Sequence, residues 1–204
     1  MDTDTAVYIM GHDDMLEKIA GCIQNPKPIL FSVDGADWNR DFTPWPAEAV
    51  WKGQEPFSGG ADHFLRELTE QIVAAEQGMR IRRRILAGYS LSALFAVWSV
   101  FRDSPFTEII SASGSLWYDG FVQFAKENQF VTPPDRIYFS LGNREANAKD
   151  ERMSKVEVST EEICDIFRKR NIDTFFEYNE GGHFRDVPER IAKGIEHILG
   201  GIME

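Results

Sequence analysis

Cysteine is scarce in this chain of 204 residues, which has only Cys22 and Cys164. They lie far apart and form no CxxC spacing, which excludes a disulfide framework and a thiolate metal site, and each is expected to be a small buried hydrophobe. Long apolar runs are missing too. Nothing approaches the roughly 20 residues needed to cross a bilayer, and the opening MDTDTAVYIM lacks the basic and apolar segments of a signal peptide. A cytoplasmic protein without a membrane partner is expected. Basic residues are in deficit, 22 Lys+Arg against 33 Asp+Glu for a net charge of −11, which argues against nucleic acid as a partner because there is little to neutralise phosphates. HExxH, the Walker loop, GxGxxG after a strand and EF-hand spacing are all absent, so no metal or cofactor is expected.

What is present is an ordinary globular composition, 43% hydrophobic and 27% charged, at a length suited to one domain spanning residues 1–204. Six short β-rich runs recur: Ala6–Met10, Pro28–Val33, Arg84–Ala87, Thr107–Ala112, Ile137–Leu141 and Thr174–Tyr178. Stretches with a 3.6-residue apolar period lie between them, as in Ala61–Glu76 and in the last helix, which has Pro188 in its first turn and Gly200-Gly201 as its stop. Ser159 and Glu162 have the spacing of a capping box for another helix. Strands alternating with helices predict an α/β fold: a mostly parallel sheet of about six strands with helices on both faces. The nearly continuous hydrophobicity of the strands fits a sheet covered on both sides. Residues 34–60 break the rhythm with three Trp and three Pro, an uncommonly long loop that suggests a functional role; Trp38, Trp45 and Trp51 closing the edge of the core is the competing expectation.

The chemistry concentrates at RILAGYSLSALFAVW, a strand, then Gly88-Tyr89-Ser90-Leu91-Ser92, then an apolar helix. A serine on so tight a strand-to-helix turn is held in a strained backbone with its hydroxyl exposed at the carboxyl edge of the sheet. G-x-S alone is common, and the strand-helix context supplies the discrimination; a plain helix N-cap serine is the alternative. A serine hydroxyl attacks only when a base takes its proton. Of four histidines, His63 and His197 fall inside helical stretches and His12 precedes the serine, whereas His183 in NEGGHF follows the last strand and is the expected base. The carboxylate that orients it should follow the preceding strand, with Glu145 first choice and Asp150 the alternative. The run Arg82-Arg83-Arg84 reads as the solvated start of a strand.

The order Ser90, Glu145, His183 is the chain order of an α/β-hydrolase triad. With LAGYSLSALFAVW, ISASGSLWYDGF, YFSLGNRE and NEGGHF in sequence, residues from about Pro28 to Leu199 resemble the α/β-hydrolase family of esterase D-like enzymes and enterochelin-type siderophore esterases. Ser92 stands where that family usually has glycine. The fold implies a backbone oxyanion hole made by the residue after the serine, Leu91, and a second amide; the resemblance points for the latter to Ala36, in the flexible Gly35-Ala36-Asp37 turn. Trp38 and Trp117, each following a strand at the same edge, are candidates for the walls of the substrate pocket or for core packing.

The resulting expectation is a serine esterase with a small-molecule ester as substrate and an acyl-enzyme intermediate. A simple ester, a thioester and a siderophore lactone all stay open. Two alternatives are an acyltransferase using the same triad and a non-catalytic binding module, which a separation of Ser90 from His183 beyond about 7 Å would favour.

Overall fold

The computed structural model describes residues 4–11, 13–24 and 27–200. In chain order the elements are β1 (Thr5–Met10), α1 (Asp13–Cys22), β2 (Ile29–Val33), α2 (Trp38–Asp41), β3 (Pro46–Ala47), β4 (Phe57–Ser58), α3 (Ala61–Ala75), β5 (Arg83–Tyr89), α4 (Leu91–Ser99), β6 (Glu108–Ala112), α5 (Phe121–Glu127), β7 (Arg136–Gly142), α6 (Val156–Lys169), β8 (Asp173–Asn179) and α7 (Val187–Gly200). Six strands form one sheet in the order β2-β1-β5-β6-β7-β8, and every pairing in it is parallel.

The period-two geometry of a strand sends alternate side chains to opposite faces. Ala6, Tyr8 and Met10 of β1 enter the larger core beneath α3, α4, α5 and α6, while Val7 and Ile9 enter the smaller core beneath α1 and α7. Both faces are covered, which is why the strands read as continuous apolar runs. The crossovers bring the carboxyl ends of the strands, and the loops that follow them, to one edge.

Residues 34–60 are more ordered than the sequence suggested. Asp37 caps α2 by accepting from the amides of Asn39 and Arg40, and β3 pairs antiparallel with β4. Gly59 has φ 78, in the left-handed region that favours glycine, and a Cβ there would lie 2.5 Å from the Trp45 carbonyl carbon.

Other expectations are corrected. Ser159 does not cap a helix: a 3₁₀ turn at Met153–Lys155 runs directly into α6, so the helix starts a turn earlier, with Lys155 at its N-cap and Ser159 buried inside. Gly200 is the final residue of α7 rather than its stop, and Gly201 lies outside the described residues. Arg83 and Arg84 are not merely solvated, since each makes a two-pronged ion pair, with Glu108 and Glu76 respectively. Cys164 is fully buried, whereas Cys22 is half-buried; both are free thiols. Among the described residues, no helix is long and apolar enough to cross a membrane.

Candidate active site

Ser90 sits between β5 and α4 with φ 60 and ψ −123, a backbone conformation costly for any residue with a side chain. The turn is tight because strand and helix nearly touch: a Cβ on Gly88 would lie 2.4 Å from the Ser92 carbonyl oxygen. Ser92 does more than avoid a clash. Its hydroxyl donates to the Tyr89 carbonyl and accepts from the Tyr89 amide, both at 2.9 Å, so a side chain stitches the turn where a glycine would leave it unlinked.

His183 reaches Ser90 from the loop after β8. Its Nε2 lies 3.1 Å from Ser90 Oγ, and its Nδ1 lies 2.7 Å from Glu145 Oε2. Tyr89 supports the loop from beneath: its ring lies 4.9 Å from the imidazole, and its hydroxyl, held protonated by burial, donates to the His183 carbonyl. Glu145 begins a 3₁₀ turn just past β7 and is almost completely enclosed. Burial pushes its pKa up, but the His183 hydrogen bond and charge, the Gly142 amide and the Ser113 hydroxyl together hold it below the ordinary value of 4.5. A carboxylate accepts only, so Nδ1 carries the imidazole proton and the Nε2 lone pair faces the serine hydroxyl.

The other sequence candidates divide clearly. Asp150 is not at this site; its carboxylate accepts from the Arg152 and Met153 amides where the next 3₁₀ turn begins. His63 is solvent-exposed on α3, His197 stacks on Phe175, and His12 lies outside the described residues. Leu91 is the first residue of α4, so its amide is one of the orphan donors of a helix start, beside Ser90. Ala36 packs against the larger core and does not line the cavity over Ser90. The loop containing Ala36 follows the edge strand β2, two strand spacings from β5, and reaches the cavity further along, at Trp38 and Asn39.

The cavity over Ser90 has a volume of about 520 Å³. Trp38 and Trp117 both line it. Trp51, Phe57 and Phe184 complete an aromatic wall that the sequence did not reveal; Trp51 is 54% and Phe184 86% exposed at its mouth. Trp45 instead follows the packing expectation, with its ring against Tyr118, Phe121 and Phe124. Arg152 fastens the 34–60 segment to this wall by donating to the Glu48 and Ala49 carbonyls while its guanidinium lies 5.9 Å from the Trp117 ring.

Sequence reasoning also missed Ser113 and Arg190, which contact Glu145 Oε1 at 2.8 and 3.0 Å. Arg190 occupies the apolar stripe of α7 between Val187 and Ile191, and a charged residue inside such a stripe was the available signal.

No family model matches the chain. It is 26% identical over 130 residues to the uncharacterized protein YbbA of Bacillus subtilis (strain 168), a match covering 61% of this chain and 52% of that protein, so the aligned part is about half the length of the relative. Among solved structures, it is similar to an IroE-like serine hydrolase from Shewanella oneidensis, with a TM-score of 0.80 at 19% identity over 96% of this chain and 70% of the other. It is also similar to the siderophore hydrolase EstA from Aspergillus nidulans, with a TM-score of 0.75 at 18% identity over 96% of this chain and 82% of the other. These likenesses show the fold, which is that of the α/β hydrolases.

Proposed function

We propose that this chain is a serine hydrolase that cleaves carboxylic esters through an acyl-enzyme. The observation that carries this reading is the continuous relay from Ser90 Oγ through both nitrogens of His183 to Glu145, starting from a serine in a strained turn. In the proposed reaction, His183 Nε2 takes the hydroxyl proton as Ser90 Oγ attacks the ester carbonyl carbon. Glu145 fixes the tautomer of the neutral imidazole and stabilises the imidazolium that forms. The tetrahedral oxyanion is held by the Leu91 amide and by a second backbone amide from a loop at the same sheet edge. His183 then gives its proton to the leaving alkoxide. The acyl-enzyme is hydrolysed by water, activated by the same imidazole.

The aromatic wall and the enclosed acid favour a neutral ester with an apolar acyl or alcohol group. A siderophore ester, by analogy with the named hydrolase neighbours, is a second reading; Arg144 at the cavity is the observation that favours it, as a cation able to meet an anionic ligand. The test is hydrolysis of p-nitrophenyl butyrate and octanoate, and of a catecholate trilactone, by wild type and Ser90→Ala, with fluorophosphonate labelling alongside. Removing the serine is expected to lower turnover by at least about 10⁴-fold and to abolish labelling. Equal rates for both proteins would refute the nucleophile, and formation of a new ester with an added alcohol would identify an acyltransferase.

A further inference from the structure

Arg190 is a charged side chain, 1% exposed, in the middle of the protein. A buried cation is costly unless its charge and its donors are met. Here the charge and both terminal amino groups are met by Ser113 and by two loops of the site at once. Nη1 lies 2.8 Å from Ser113 Oγ and 3.0 Å from Glu145 Oε1, while Nη2 donates to the carbonyls of Glu180 at 3.2 Å and Gly182 at 3.0 Å. Gly182 directly precedes His183. Nε is buried without a partner, so the guanidinium is not placed here to satisfy all of its own donors.

The glycines make room for this arrangement. A Cβ on Gly142 would fall 3.0 Å from Arg190 Nη2 and 2.5 Å from the Gly181 carbonyl oxygen. The same two loops are also joined through backbone, with the Arg144 amide donating to the Gly181 carbonyl and the Gly181 amide to Asn143 Oδ1. On Glu145 the division of labour is complete: Oε1 receives the Gly142 amide, Ser113 and Arg190, which leaves Oε2 for His183 Nδ1.

We infer that Arg190 is a positioning residue: its planar fork sets the rotation of the Glu145 carboxylate and the backbone at residues 180–182, so that His183 meets Glu145 and Ser90 together. The inference rests on the serine-hydrolase reading for its kinetic consequence, although its geometric content stands apart from it. A guanidinium suits the task because its donors diverge at fixed angles toward a carboxylate and a pair of carbonyls, whereas an ammonium is a point charge that cannot hold both.

The test compares wild type with Arg190→Met and Arg190→Lys. In folded Arg190→Met, kcat for p-nitrophenyl butyrate and the rate of fluorophosphonate labelling are expected to fall about 100-fold, with KM within about twofold, since misplacement of a catalytic group by about 1 Å costs that much. Arg190→Lys, which keeps the charge and is the safer variant for folding, is expected to retain thermal stability better than Arg190→Met but to recover less than a tenth of the lost kcat. The second readout needs no substrate. The downfield proton resonance of a His183 Nδ1–H held by a carboxylate is expected in wild type and to be lost or moved in both variants. A folded Arg190→Met or Arg190→Lys protein with wild-type kcat, labelling rate and downfield resonance would overturn the inference and leave Arg190 a stability element. If wild type and Ser90→Ala are equally unreactive with esters and fluorophosphonate, the hydrolase reading fails, and the resonance alone decides the positioning role.

Discussion

Arginine–carboxylate pairs stand at both ends of the strands of the same sheet, and they are wired differently. At the amino-terminal edge, Arg83 meets Glu108 with two nitrogens on two oxygens, at 2.6 and 3.1 Å, and Arg84 meets Glu76 in the same way at 2.5 and 2.8 Å. Each carboxylate there spends both oxygens on its arginine. At the carboxyl edge, Arg190 touches only Oε1 of Glu145 and sends its other amino group to the histidine loop, which frees Oε2 for His183. The lower pairs tie the start of β5 to β6 and to the end of α3, with Tyr8 also donating to Glu76 and Arg83 also donating to the Ile198 carbonyl. The upper one is left open and transmits orientation. The residue types are the same, and what separates a structural pair from a catalytic support is which acceptor atoms remain unspent.

The largest expected effect comes from changing the acid at each edge. Glu145→Gln keeps the shape, but its amide nitrogen would face Nδ1 and favour the wrong imidazole tautomer, so kcat is expected to fall about 10³- to 10⁴-fold. It also strips the fully buried Arg190 of its counter-charge, at a cost of about 3–5 kcal/mol in stability. Glu108→Gln is expected to cost only about 1–3 kcal/mol, because the Arg83 side chain is 38% exposed and water takes up part of the lost interaction. Its kcat, measured on folded protein, is expected to stay within about twofold of wild type. Urea titrations and initial rates on the two variants check this, and wild-type turnover by Glu145→Gln would break the contrast.

The same contrast explains what could be read in the sequence. The sheet was legible because its strands are apolar on both faces, and the order strand, Gly88-Tyr89-Ser90, Glu145, His183 is fixed by parallel topology, which must deliver successive loops to one edge. Contacts made by side chains from unrelated segments left weaker traces. Arg190 interrupts an otherwise apolar helical stripe, a signal that is visible only if a charge inside a stripe is treated as a question. Ser113 gives no trace at all, because its hydrogen bond to Glu145 depends on how far β6 and β7 extend past their last paired residues. The Ala36 assignment rested on a resemblance and a flexible turn, whereas the insertion of β1 between β2 and β5 is a property of the assembled sheet that a sequence does not state. The capping box at Ser159 failed because a 3₁₀ turn can feed a helix without a break, and the spacing rule does not register that.

The smallest effect expected at the lower edge is on pH dependence, and it sharpens the distinction because it moves stability without moving chemistry. Burial raises the Glu76 pKa, but the hydrogen bonds from Arg84 and Tyr8 and the arginine's charge outweigh it and hold the group below its ordinary 4.5. A carboxylate whose pKa is depressed on folding binds fewer protons folded than unfolded. Its contribution is therefore fully present above about pH 4.5 and is lost as the pH falls through the lower, folded value. Glu76→Gln removes that titration. The variant is expected to be less stable than wild type by about 1–2 kcal/mol at pH 7, and the gap is expected to close as acid protonates Glu76 in the wild-type protein. Urea unfolding at a series of pH values between 7 and 3 reads the convergence, and two curves that stay parallel throughout would mean that Glu76 is not ion-paired. Ester turnover at pH 7 is expected to be unchanged, since neither oxygen of this carboxylate is shared with the site at the other edge.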